Sequence, residues 1–104
     1  MLGTARLAAI MASKRTSELI PLCHPISLTR VGVEFEVDAQ KHSVHIEVSA
    51  EAVDRTGVEM EAMVAASVGA LTIYDMLKAL DRGIVVGPTL LVSKSGGRSG
   101  DYRG

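Results

Sequence analysis

Cysteine is nearly absent from this 104-residue chain, which contains Cys23 and no other. A small secreted scaffold held together by disulfides is therefore excluded, and the reducing cytoplasm is the simplest setting for the protein. Aromatic residues are also scarce, at 3% of the chain. Because proteins that bind single-stranded nucleic acid rely on aromatic faces that stack on the bases, this class of partner is disfavoured.

The chain has no excess of charge of either sign, since 11 Lys and Arg face 12 Asp and Glu and the formal net charge is −1. A dedicated nucleic-acid-binding protein would be strongly basic, so any site for an anion must be local. Hydrophobic residues make up 47% and charged residues 22%, the balance of a globular protein. The uncharged stretch 62–74 is shorter than the about 20 apolar residues that cross a membrane. We expect one globular domain over residues 1–104, without nucleic acid or membrane as partner.

The N-terminal part of the chain is rich in helix-forming residues. Apolar residues recur three and four apart over residues 2–12, which predicts a helix. Residues 16–20 fit one further helical turn, and Pro21 ends it because proline disfavours helical backbone at the residue before it. Residues 21–25, which begin and end with proline, are then a stiff extended loop.

Two segments alternate between apolar and polar residues, as strands with one buried face do. The first covers residues 30–37 and the second residues 44–52, with a short polar connection over residues 38–42. This spacing predicts an antiparallel hairpin.

A long helix is predicted over residues 57–82 and a final strand over residues 84–93. Thr56 and Glu59 have the spacing of a capping box at the helix start, and Gly83 suits its end. The order helix, strand, strand, helix, strand predicts an α+β fold. We expect a ferredoxin-like βαββαβ plait that lacks its first strand, with helices on one face of an antiparallel sheet.

Cys23 and His24 lie between two prolines. Either a rigid turn packs the histidine as a structural residue, or the prolines fix His24 at a site. One cysteine beside one histidine, with no second such pair in the chain, lacks the spacing of a zinc site.

Glu59 and Glu61 are two acids near the start of the predicted long helix. The spacing favours Glu59 as the partner of Thr56 in the capping box, and a role in a site is the alternative. Glu61 is expected to be solvated or ion-paired.

Asp75 and Lys78 lie three residues apart on the same helix. Such spacing is most often an exposed ion pair, worth roughly a few tenths of a kcal/mol. The alternative is a pair that transfers protons, because a lysine held partly out of water has a lowered pKa.

Residues 94–100 form a cationic, glycine-rich tail. Composition alone favours a flexible polar tail, and the alternative is a phosphate cradle to which Lys94 and Arg98 add charge. The Walker P-loop pattern is absent.

Glu59 and Asp75 are separated by 16 residues of predicted helix. At 1.5 Å and 100° per residue, they are roughly 24 Å apart on different faces. One small-molecule site cannot use both from one copy of a straight helix. If both are functional, either two subunits share the site or the two residues have different tasks.

Four strings are spread over nearly all of the chain: residues 14–25, 56–62, 70–76 and 94–100. They resemble, in the same order, signature segments of the molybdenum cofactor biosynthesis protein C family, the cyclic pyranopterin monophosphate synthases. Four long strings in one order are far more specific than a single short motif.

The resemblance implies conversion of a cyclic dihydroguanosine triphosphate to cyclic pyranopterin monophosphate, with release of pyrophosphate. It implies a homo-oligomer, a hexamer built from dimers, with each site at a dimer interface. The residues expected to be catalytic are Asp75, Lys78 and Glu59. The residues expected to bind substrate are Cys23, His24, Pro25, Glu59, Met60, Lys14, Arg15, Lys94 and Arg98. No cofactor is indicated for certain, and a magnesium ion that accompanies the triphosphate is left open.

The sequence departs from the family pattern at its start. Family members carry an upstream segment with the first strand, a further arginine and a lysine implicated in acid–base catalysis, and this chain begins after that lysine. The alternative function is therefore a catalytically impaired homologue that acts as a phosphate-binding, pterin-binding or scaffolding oligomer.

A version extended upstream by that segment is expected to be more stable and more active than the 104-residue chain. The sheet would otherwise expose an unpaired edge, and the site would lack a lysine. Thermal unfolding and a turnover assay on both versions check this expectation, and equal turnover would contradict it.

Overall fold

The computed structural model describes residues 1–53, 57–96 and 100–104. Its elements are α1 (Leu2–Ser13), α2 (Thr16–Leu19), β1 (Leu28–Asp38), β2 (Ser43–Ala52), α3 (Glu59–Leu77), β3 (Ser93–Lys94) and β4 (Tyr102–Arg103). The predicted α+β class with antiparallel pairing is confirmed. The described strands form two separate two-stranded sheets, so the complete plait stays a prediction.

The antiparallel hairpin predicted from alternation is confirmed. β1 pairs with β2 so that Val33 lies opposite Val48 and Phe35 opposite Ile46. In the connection, the Asp38 carboxylate accepts hydrogen bonds from two backbone N–H groups at 3.0 Å. This turn chemistry fixes the register, and the register places the alternating apolar residues on one face.

The core lies between that face and two helices, α1 and α3. Ala9, Val33 and Ala65 are buried at its centre. The partly buried residues around them are Ile10, Val31, Phe35, Ile46 and Val48. Both helices therefore cover the same side of the hairpin, as the sequence predicts.

α1 and α3 approach each other through small side chains. Ala5, Ala9 and Ala65 are completely buried. Gly69 faces α1, because a Cβ built on it would lie 3.5 Å from the Cβ of Ala9. Residues without bulk let two helices pack at short range, so this contact sets the position of α3.

α3 has 19 residues and a mean hydropathy of 1.3, which by length and composition alone would suffice to cross a membrane. The short length of the uncharged stretch 62–74 is therefore not enough to exclude a span. α3 packs against α1 and β2, and these contacts account for the apolar residues on its packed face.

α3 is shorter than the predicted helix 57–82. Val58 is its N-cap residue, and the helix ends at Leu77. After Leu77 the chain turns, and the Asp81 carboxylate accepts a hydrogen bond from the Gly83 N–H at 2.7 Å. At the helix end itself, the Leu80 N–H donates to the Leu77 carbonyl three residues back at 2.9 Å, so the helix gives way to a tighter turn.

The final strand predicted over residues 84–93 is wrong. Only Ser93–Lys94 is a strand, and it pairs with Tyr102–Arg103 rather than with β1 or β2. Gly87 has a φ of +103°, outside the extended region, and Pro88 lacks the N–H that a ladder needs. The segment 84–92 is tied to α3 instead, where the hydroxyls of Ser67 and Thr89 are 3.2 Å apart.

Substitutions at Gly69 test the close helix contact. Gly69→Ala is expected to be neutral or stabilising by up to about 1 kcal/mol, because 3.5 Å is an ordinary contact distance and alanine favours helix. Gly69→Leu is expected to lower the free energy of unfolding by about 1–3 kcal/mol, because the added atoms have no space. Chemical denaturation measures both.

Gly3 supplies the matched control. It lies in α1, is exposed, and has no described atom within 4 Å of a Cβ built on it. Gly3→Leu should therefore leave the free energy of unfolding unchanged or raise it. Equal stability of Gly69→Leu and Gly3→Leu would contradict the close contact.

Candidate active site

The candidate acids of the long helix lie at its two ends. Glu59 is the first residue of α3 and Asp75 lies in its last turn. Because α3 is continuous between them, the separation of about 24 Å expected for 16 helical residues holds. The candidate site is therefore described as two clusters.

The first cluster joins the start of α3 to the C-terminal tail. The Lys94 ammonium donates a hydrogen bond to the Glu59 carboxylate at 3.4 Å. The Lys94 side chain is only 8% exposed, whereas that of Glu59 is 37% exposed. β3 fixes the backbone of Lys94, and α3 fixes that of Glu59.

This geometry corrects the capping interpretation of Glu59. Glu59 is the first helical residue after the N-cap Val58, not the third, so it does not occupy the capping-box position. Its carboxylate pairs with Lys94 instead. Thr56, the other half of the expected box, lies outside the described residues, as does Arg98 of the tail.

The second cluster is an ion pair beside a groove. The Lys78 ammonium lies 2.9 Å from the Asp75 carboxylate, and both side chains are largely exposed. An open groove of about 440 Å³ runs along this end of α3. Its lining residues are Val68, Leu71, Thr72, Tyr74, Asp75 and Lys78. The groove thus combines an apolar wall with one carboxylate and one ammonium.

Of the two interpretations of Asp75 and Lys78, the exposed ion pair is confirmed and the alternative of a lysine with a lowered pKa is wrong. The hydrogen bond from Lys78 to Asp75, together with the charge of that carboxylate, raises the pKa of Lys78 above its ordinary value of 10.5. Desolvation acts in the opposite direction but is the smaller effect, because the side chain is half exposed. At neutral pH Lys78 is therefore a charged donor.

Most of the remaining candidates lie in the segments on either side of α2. Cys23 is half-buried, and its N–H donates to the Ile20 carbonyl at 3.1 Å. The other candidates of this region are exposed: Lys14, Arg15, His24 and Pro25. Met60 is half-buried in the first turn of α3. Among the described residues, hydrogen bonds and ion pairs join only two pairs of candidates, Glu59 with Lys94 and Asp75 with Lys78.

Glu61 lies in a different environment from the one that its sequence position predicts. It is 4% exposed rather than solvated, and no ion pair links it to another described residue. Glu61, Ala65, Gly69 and Ile73 are the buried residues of α3 and recur every four positions. That periodicity was the signal that places Glu61 on the packed face.

Metal ligands do not cluster in the part of the chain that the structure describes. Over residues 1–53, 57–96 and 100–104, no three His, Cys, Asp or Glu side chains are arranged to hold a metal ion.

Comparison with known proteins identifies a matching family and similar curated proteins. A model of the MoaC family matches residues 1–97. The cyclic pyranopterin monophosphate synthase of Staphylococcus carnosus (strain TM300) is 55% identical over 104 residues, which are 99% of this chain. The chain spans 65% of the length of that relative.

The raised pKa of Lys78 predicts a pH dependence. Because the folded-state pKa lies above 10.5, the contribution of the pair to stability is fully present below pH 10.5 and is lost as the pH rises through the folded-state pKa. Asp75→Asn is expected to lower the pKa of Lys78, as an NMR titration of its side chain would measure. Glu36→Gln, which removes an exposed acid from β1, is the control and should leave that titration unchanged. An unchanged pKa in Asp75→Asn would contradict the assignment.

Proposed function

This chain belongs to the MoaC family, and from that membership we propose that it is a cyclic pyranopterin monophosphate synthase of molybdenum cofactor biosynthesis. Its substrate is (8S)-3',8-cyclo-7,8-dihydroguanosine 5'-triphosphate, and its products are cyclic pyranopterin monophosphate and pyrophosphate. The observation that carries this proposal is the 55% identity to the synthase over 99% of this chain. The cytoplasm is the proposed location.

Binding of the triphosphate needs several cations near one another. Lys14 and Arg15 are exposed at the junction between α1 and α2. The ammonium of Lys94, a residue of β3, lies beside Glu59 at the start of α3. With Arg98, they supply positive charge that the near-neutral chain as a whole lacks, and His24 offers a hydrogen-bond donor to the phosphates. Such charges stabilise the leaving pyrophosphate electrostatically.

Asp75 and Lys78 carry the proton transfers in this proposal. The raised pKa makes Lys78 an acid and a hydrogen-bond donor at neutral pH rather than a base. Asp75, 2.9 Å away, orients the ammonium and offers an acceptor for the proton that the rearranging ring releases. The apolar wall of the groove, formed by Val68 and Leu71, suits the flat pterin.

The two clusters imply that neighbouring copies share each site. A small molecule cannot reach both Glu59 and Asp75 of one α3, since they are about 24 Å apart. The groove is open, and Leu71 on its wall is 57% exposed, as a surface covered by another copy would be. We therefore propose a homo-oligomer of dimers, a hexamer, in which Cys23, Pro25 and Met60 complete the substrate pocket.

A non-catalytic phosphate- or pterin-binding oligomer is the second candidate function. The observation that favours it is that Lys78 is held in an ion pair and is the one lysine among the described groove residues. In that case the ligand binds without reacting.

Release of pyrophosphate from the cyclic triphosphate tests the two candidates. Lys78→Ala is expected to lower the rate by about 10²–10⁴, the contribution typical of a positioned proton donor. Lys41→Ala is the control, because Lys41 is exposed in the hairpin connection, and it should leave the rate unchanged. Binding of the triphosphate with no release would reject the enzyme and support the binding protein.

A further inference from the structure

Lys94 is the least exposed of the ion-paired basic side chains that the structure describes. Its side chain is 8% exposed, and its ammonium contacts the Glu59 carboxylate at 3.4 Å, across 35 residues of sequence. A buried lysine is costly unless its charge is paired. In the absence of ligand, the Glu59 carboxylate therefore offsets the cost of burying the Lys94 ammonium.

The two partners differ in how firmly they are held. β3 and β4 pair Lys94 with Tyr102, and the Gly104 N–H donates to the Val92 carbonyl at 2.8 Å, so the backbone around Lys94 is fixed. Glu59 is 37% exposed, which leaves its carboxylate open to water on one side. An anion arriving from solvent can thus replace the carboxylate without repacking the lysine.

We propose that Glu59 is a positioning residue that orients the Lys94 ammonium in the free protein and yields it to a phosphate group of the ligand. This inference rests on the proposed function, which gives Lys94 a phosphate role. A phosphate carries more charge and more acceptor oxygens than a carboxylate, so it displaces the Glu59 carboxylate from Lys94. The released Glu59 returns to water at little cost, because it is already partly solvated.

The exchange has a measurable consequence. If Glu59 competes for Lys94, the apparent dissociation constant of a polyphosphate equals the intrinsic constant divided by the fraction of molecules in which the lysine is free. Removing the negative charge of Glu59 should then tighten binding. A merely structural role for Glu59 would instead weaken binding or leave it unchanged.

Calorimetric titration of the full chain with inorganic tripolyphosphate tests the inference. Glu59→Gln is expected to bind about tenfold more tightly, which corresponds to a lysine free in about one wild-type molecule in ten. Glu59→Asp keeps the charge and should stay close to the wild type. Glu36→Gln removes one negative charge from the exposed face of β1 and should change affinity less than about twofold, because exposed charges are screened. In Glu59→Gln combined with Lys94→Met, the gain should vanish.

Two results separate this inference from the proposed function. Weaker binding by Lys94→Met together with unchanged or weaker binding by Glu59→Gln would overturn the inference and keep the phosphate role of Lys94. If Lys94→Met has no effect on binding, Lys94 has no phosphate role and the inference is rejected with it. The proposed function is tested separately, by the release of pyrophosphate.

An NMR measurement on the wild type covers the case in which Glu59→Gln fails to fold. The resonance of the Lys94 side-chain ammonium should shift on addition of tripolyphosphate, and the carboxyl resonance of Glu59 should move to that of a solvated acid. A Glu59 resonance that does not move while the ligand binds would overturn the exchange.

Discussion

Close packing of α1 against α3 is the contact on which the rest of the structure depends. Ala9 and Ala65 are fully buried and Gly69 has no side chain, so the two helices together form one layer over the hairpin. A two-stranded hairpin is at best marginally stable alone, and a second layer completes its core. The packed face of α3 is thereby fixed, and its two ends are left at the surface.

The position of α3 also determines the surroundings of Lys78 and Lys94, which the sequence alone does not distinguish. Lys78 is half exposed beside Asp75, so water and the ion pair both favour its charged form. The Lys94 side chain is only 8% exposed, so its ammonium exchanges water for the carboxylate of Glu59. Lys78 is therefore suited to proton donation in an open groove. Lys94 is suited to an ion pair in which a phosphate replaces the carboxylate.

The parts of the fold that the sequence predicts well are those set by neighbours along the chain. Alternation over residues 30–37 and 44–52, with a polar connection, is enough to specify the hairpin, because its register depends on a local turn. The final strand is wrong because Gly87, with a φ of +103°, leaves the extended region and Pro88 has no N–H to donate to a neighbouring strand. The helix end is misplaced because the chain enters a tighter turn after Leu77, where the Leu80 N–H bonds to the Leu77 carbonyl, and apolar periodicity does not distinguish this turn from further helix.

By itself, the sequence determined the α+β class, the antiparallel hairpin, the separation of Glu59 from Asp75 along one helix, and the strings typical of the MoaC family. Each of these follows from spacing or identity along the chain. Tertiary structure alone decided that Glu59 pairs with Lys94, that Glu61 is buried, and that the pKa of Lys78 is raised rather than lowered. The physical reason is that burial and charge pairing depend on distances between residues remote in sequence, which no local pattern specifies.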